Sequence, residues 1–127
     1  MTRREFEGLV ERGMERIPAR FRARLKNVVF LVEDEPPRRG LLGLYQGRPL
    51  TERSVSEPFA MPDTITIYQG PHERTAEEDD IPVARLVEET VWHEVAHYFG
   101  LNEEQVLRAE RRRDLQGSKR ARRLRGV

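Results

Sequence analysis

Four valines, Val83, Val87, Val91 and Val95, recur every four residues. That spacing keeps them on one side of an α-helix and demands a partner surface to cover them. Pro82 suits the first helical turn, and Asp79 and Asp80 sit where the positive end of a helix dipole favours acids. Gly100 is the expected left-handed stop. The same helix carries His93-Glu94-Val95-Ala96-His97, which reads HExxH. Any fold for this chain must bury the valine stripe and still leave that polar stripe in place.

The rest of the chain supplies the covering layers. Phe6, Leu9, Val10, Met14 and Ile17 have helical spacing within residues 4–17, so an amphipathic N-terminal helix is expected, limited by Pro18. Ala19 to Lys26 are read as one further short turn. Val28-Val29-Phe30-Leu31-Val32 is read as a buried strand, ended by Glu33-Asp34-Glu35-Pro36-Pro37. Residues 41–46 form a second strand candidate, and residues 51–63 a polar loop. Thr64-Ile65-Thr66-Ile67-Tyr68 alternates as a third strand, with Ile65 and Ile67 on one face. Residues 73–80 are read as an acidic loop and His72 as an exposed loop histidine. A last helix is expected over 101–115. The order is helix, strands, helix, helix. It implies a small α+β domain with a twisted mixed sheet of three or four strands.

Composition narrows the function classes. The chain has 127 residues, 35% of them charged, and no cysteine. One domain over residues 1–115 is expected, without disulfides or thiolate ligands. No signal peptide and no apolar run near a membrane span is found, so a cytoplasmic, monomeric protein without membrane contact is expected. The net charge of +1 hides a division: residues 108–127 hold nine Lys/Arg and two Asp/Glu. Residues 116–127 are read as a disordered basic tail. Its five cations between Lys119 and Arg125 come without aromatic residues, which leaves weak contact with nucleic acid or an acidic partner as the secondary reading.

The chemistry lies in the histidine segment. Residues four apart on a helix stack one above the other, so both imidazoles reach the same ion. Glu94 is offset from His93 by about 100° around the helix, within reach of a water at that ion. A catalytic zinc typically takes three protein ligands and one water. A sharp turn at Gly100 brings Glu103 back beneath the ion, while Glu104 and Glu110 stand as alternatives. The expected reaction is zinc-assisted amide hydrolysis: His93, His97 and Glu103 hold Zn²⁺, and Glu94 moves the proton. A metal-binding or peptide-binding module with little turnover, and a metal hydrolase acting on RNA, are the competing readings.

His93 to Glu103 resembles the family of minimal zincin-like metallopeptidases, whose motif runs HExxHxxGxxD/E. The resemblance covers roughly residues 27–107, including Gly43-Leu44-Tyr45-Gln46-Gly47 and Thr64-Ile65-Thr66-Ile67-Tyr68. It implies a compact zincin core: a twisted sheet, the active-site helix and a short closing helix. It also implies that the sheet's edge strand pairs with extended peptide substrate, a short or unfolded segment. By position, Thr64–Tyr68 is the candidate for that edge. Two departures separate this chain from the larger metzincin class: Glu103 stands where those proteins have His, and no Met follows the motif.

Overall fold

The computed structural model describes residues 1–47, 61–102, 104, 105 and 108. Helix α1 (Arg3–Glu15) is followed by the short α2 (Ala19–Arg22), and then by strands β1 (Val28–Glu33), β2 (Gly43–Gln46) and β3 (Asp63–Tyr68). Helices α3 (Gln69–Asp79) and α4 (Val83–Tyr98) follow, and the described residues Glu104, Gln105 and Arg108 are also helical. The described strands form one mixed sheet in the order β1-β3-β2. β1 is parallel to β3, and β2 is antiparallel to it. This is the expected small α+β architecture.

Local signals account for the boundaries. Thr2 and Glu5 form a reciprocal capping box at the start of α1, with Glu5 N–H donating to Thr2 Oγ1 at 3.0 Å and Thr2 N–H to Glu5 Oε1 at 2.8 Å. Asn27 turns the chain into β1 with φ +56°, a conformation Asn tolerates better than most residues. At the far end of α4, Gly100 has φ +88°. Gly100 N–H donates to His97 O and Leu101 N–H to Ala96 O, which closes the helix in a Schellman arrangement.

The core lies between the sheet and helices α1 and α4. Ile65 and Ile67 project from β3 against Phe6, Val10, Val87, Val91 and Val95. Each of these except Val10 is essentially inaccessible to solvent. Gly13 lets α1 approach closely: a Cβ there would lie 3.3 Å from Val91 Cγ2. A smaller cluster of Leu42, Ala76, Ile81 and Leu86 packs α3 beside α4.

Several expectations change in three dimensions. β1 is not a buried strand; it lies at the margin of the sheet, and Val29 and Leu31 are about two-fifths exposed (41% and 40%). Thr64–Tyr68 is not the edge but the centre, because it pairs on both sides. The segment read as an acidic loop is the C-terminal part of α3, whose Ala76 is buried while Glu77 and Glu78 face solvent. Asp79 and Asp80 close α3 rather than open α4, with Asp80 left-handed at φ +53°. Pro82 is the N-cap of α4, one position before its first turn. Residues 48–60 and 109–127, which include most of the polar loop and the basic tail, lie outside the described residues. No helix among the described residues is long and apolar enough to cross a membrane.

His72 is also corrected. It lies on α3, fully buried, with its ring 5.6 Å from that of Phe6. Nδ1 is 2.7 Å from the Tyr68 carbonyl and therefore carries the proton. Nε2 lies 2.8 Å from Thr90 Oγ1, whose hydroxyl also faces the Leu86 carbonyl at 3.0 Å. Burial pulls the imidazole pKa down to about 4, against a smaller opposing effect of the Tyr68 carbonyl. As pH falls from 6.5 to about 4, the unfolded chain binds a proton that the folded chain refuses. Stability should therefore drop by roughly 3 kcal/mol over that window. Urea titrations of wild type and His72→Gln from pH 7 to pH 4 should differ in slope by this contribution, and parallel curves would refute it.

Candidate metal centre

Helix α4 delivers the motif to one place. Val87, Val91 and Val95 turn into the core, and the next sector of the helix presents Thr90, His93, Glu94 and His97. His93 and Glu94 are buried, at 1% and 0% exposure, and His97 is half-buried. The two imidazole rings lie 5.1 Å apart between centroids, inclined by 74°. His93 Nε2, His97 Nε2 and both carboxylate oxygens of Glu94 are shielded from solvent.

The helix terminus sets the chemistry of His97. The left-handed Gly100 folds the chain back so that the Leu101 carbonyl faces His97 Nδ1 at 3.1 Å. A carbonyl only accepts, so the neutral ring holds its proton on Nδ1 and its lone pair on Nε2. This is the tautomer that a metal-ligating Nε2 requires, fixed by the hydrogen bond on the opposite ring nitrogen. The donor set of two imidazoles and a nearby carboxylate suits zinc.

Strand β2 forms the adjacent wall. Gly43 is placed so closely that a Cβ there would lie 2.8 Å from Thr90 Cγ2, 3.1 Å from Glu94 Cγ and 3.2 Å from Thr66 O. Only a residue without a side chain lets β2, an outer strand among the described residues, pass this near the helix. Thr90 is held in turn by His72 from α3. β2 thus abuts Glu94 directly, while the buried His72 of α3 holds Thr90, one helical turn before it. The role of Gly43 escaped sequence reasoning, because a lone glycine opening a strand carries no sign of what it faces.

The acidic candidates separate. Glu104 is 77% exposed and pairs with Arg108 at 3.1 Å, on the solvent side. Glu103 and Glu110 lie outside the described residues. Among the described residues, no group of three or more His, Asp or Glu converges as a metal cage.

Two tyrosines serve the scaffold. Tyr45 donates to Asp63 Oδ2 at 2.6 Å. The Tyr98 hydroxyl accepts from the Lys26 amide at 3.3 Å. Burial holds the Tyr68 phenol above its usual range, with smaller contributions from the negative charges of Glu33 and Glu94. Trp92 is half-buried, edge-on to Phe21 at 5.9 Å.

The sequence profile of the zincin-like metallopeptidase family matches residues 25–113. That stretch spans all three strands, α3 and α4. The chain belongs to the zincin-like metallopeptidase family. A comparison with individually curated proteins finds no match. Family membership joins the HExxH helix and the small mixed sheet into one zincin-like unit, with the N-terminal helix α1 packed on it from outside the matched region.

The Gly43 contact is testable in this zincin-like domain. Gly43→Ala forces β2 away from α4 and should cost about 1–3 kcal/mol, as overpacking of a close contact does. A urea midpoint equal to that of wild type would show that the two elements separate without strain.

Proposed function

We propose that this chain is a zinc-dependent metallopeptidase that hydrolyses extended, unfolded peptide segments. The observation that carries the reading is the sheltered cluster of His93 Nε2, His97 Nε2 and the Glu94 carboxylate on one helix face, with the His97 tautomer set for ligation. His93 and His97 would hold the ion, and Glu103 is the proposed third ligand. When bound, Zn²⁺ supplies Lewis acidity that polarises a carbonyl and acidifies water.

The remaining steps belong to the protein. Glu94 accepts the proton of the attacking water on a carboxylate oxygen and returns it to the leaving amine. Its burial keeps competing solvent away from that oxygen. Antiparallel β2 is an outer strand among the described residues and passes beside Glu94, which supports substrate binding as an added strand along β2. Only an extended chain can pair in this way, so a folded domain would be a poor substrate.

Untagged protein should carry about one zinc per chain by native mass spectrometry, and His97→Ala should lose it. Glu94→Gln should keep the metal yet lose about 10²–10⁴-fold in peptide hydrolysis. Full activity in a zinc-loaded Glu94→Gln protein would sink the mechanism. Glu103→Ala should weaken zinc binding measurably in competition with a chelator, and unchanged affinity would remove Glu103 from the ligand set.

A further inference from the structure

A cleft of about 510 Å³ opens between the segment 35–42 and helix α3. Arg38 and Arg39 line one wall, and Arg74 and Glu78 the other. The charges in it are not equivalent. Arg74 grips Glu35 with two parallel hydrogen bonds of 2.9 Å each. That contact holds the Glu35 carboxyl below its usual pKa, and Glu78 adds to the negative field around Arg74. Arg74 is therefore spent. Arg38 and Arg39 are exposed, and among the described residues neither enters an ion pair. They leave the cleft with cationic capacity to spare.

The cleft is also shaped for access. Pro36 and Pro37 stiffen the wall that carries the two arginines. Gly40 takes φ +88°, and a Cβ there would meet nothing within 4 Å. Leu42 lines the cleft and continues the β2 pairing through its carbonyl, which accepts from Tyr68 N–H at 3.0 Å. The next residue, Gly43, abuts Glu94. From Gly43 back to Arg39 is at most about 14 Å of extended chain. The chain turns at Arg39 and Gly40 instead of running on as a strand, so Arg39 lies within that radius of Gly43. A peptide along β2 with its scissile bond at Glu94 would bring a residue three or four positions away within reach of the two arginines.

We propose that this cleft is a specificity subsite in which Arg38 and Arg39 bind a carboxylate of the substrate peptide, three or four residues from the scissile bond. The proposal rests on the peptidase reading above. The carboxylate is either an acidic side chain or the peptide's own C-terminus. Guanidinium groups suit both, since their planar donors match a carboxylate bidentately.

The test uses zinc-loaded full-length protein and matched fluorogenic peptides. Each carries Glu or Gln three or four residues from the cleaved bond, on either side, with a free or amidated C-terminus. The expected result is about a tenfold lower KM for the carboxylate-bearing peptide. That advantage should shrink with added salt. It should collapse to within twofold in an R38A/R39A protein, through KM rather than kcat. Advantage with Glu in amidated peptides identifies a side-chain subsite, and advantage only with a free terminus identifies a terminal one.

An R38E/R39E protein should invert the preference towards Lys-bearing peptides. Equal KM for all wild-type pairs, or a preference that survives R38A/R39A, overturns the proposal. Anisotropy with the same peptides on the Glu94→Gln protein reads the subsite without turnover. No hydrolysis by the zinc-loaded wild-type protein, with the carboxylate preference intact in the Glu94→Gln binding assay, would therefore fault the peptidase reading alone.

Discussion

The packing of α4 on the central strand is the constraint from which the rest follows. Val87, Val91 and Val95 meet Ile65 and Ile67 in a core closed to solvent. Burying side chains of this size contributes about 1.5–3 kcal/mol each relative to exposure. That contact fixes the rotation of α4 about its axis. Successive residues of a helix are about 100° apart, so fixing the valines also fixes the direction of Thr90, His93, Glu94 and His97. The hydrophobic register and the polar site are two readings of one rotation.

Around that helix the structure concentrates polar side chains that burial would ordinarily penalise. His72, Thr90, His93 and Glu94 are all at 1% exposure or less. Buried polar groups must be matched by partners or by a bound ion. His72 and Thr90 match each other across α3 and α4. Their contact braces the stretch of α4 that Gly43 touches from the other side. The turn at Gly100 performs a similar service for His97, trading a strained backbone position that glycine tolerates for a defined imidazole tautomer. The helix is thus supported along its buried polar stripe, by a strand on one side, a helix on another and its own terminus below.

The chain's charge is arranged on a different scale. Glu35 and Arg74 tie the segment after β1 to α3, and Arg3 ties α1 to Val32 O and Asp34 at the end of β1. These exposed pairs add little to stability individually. They order the surface segments that flank the sheet, among them the stiff Pro36–Pro37 wall of the arginine-lined cleft.

The sequence by itself determined the features whose signal is local. The four-residue valine repeat specifies a helix and its buried side. HExxH specifies two imidazoles on one stripe of it, Gly100 its end, and the alternation of Ile65 and Ile67 the inward face of a strand. Each rests on backbone periodicity or on the conformational freedom of one residue, and neither needs a distant partner. Only the tertiary structure decided the order β1-β3-β2, which made Thr64–Tyr68 central and exposed the apolar Val29 and Leu31 at a margin. It alone turned an acidic stretch into a helix covering Leu42 and Leu86, carried His72 into the interior, and brought Gly43 against Glu94. Strand pairing and burial are set by which distant surfaces meet, and no window of neighbouring residues encodes that meeting.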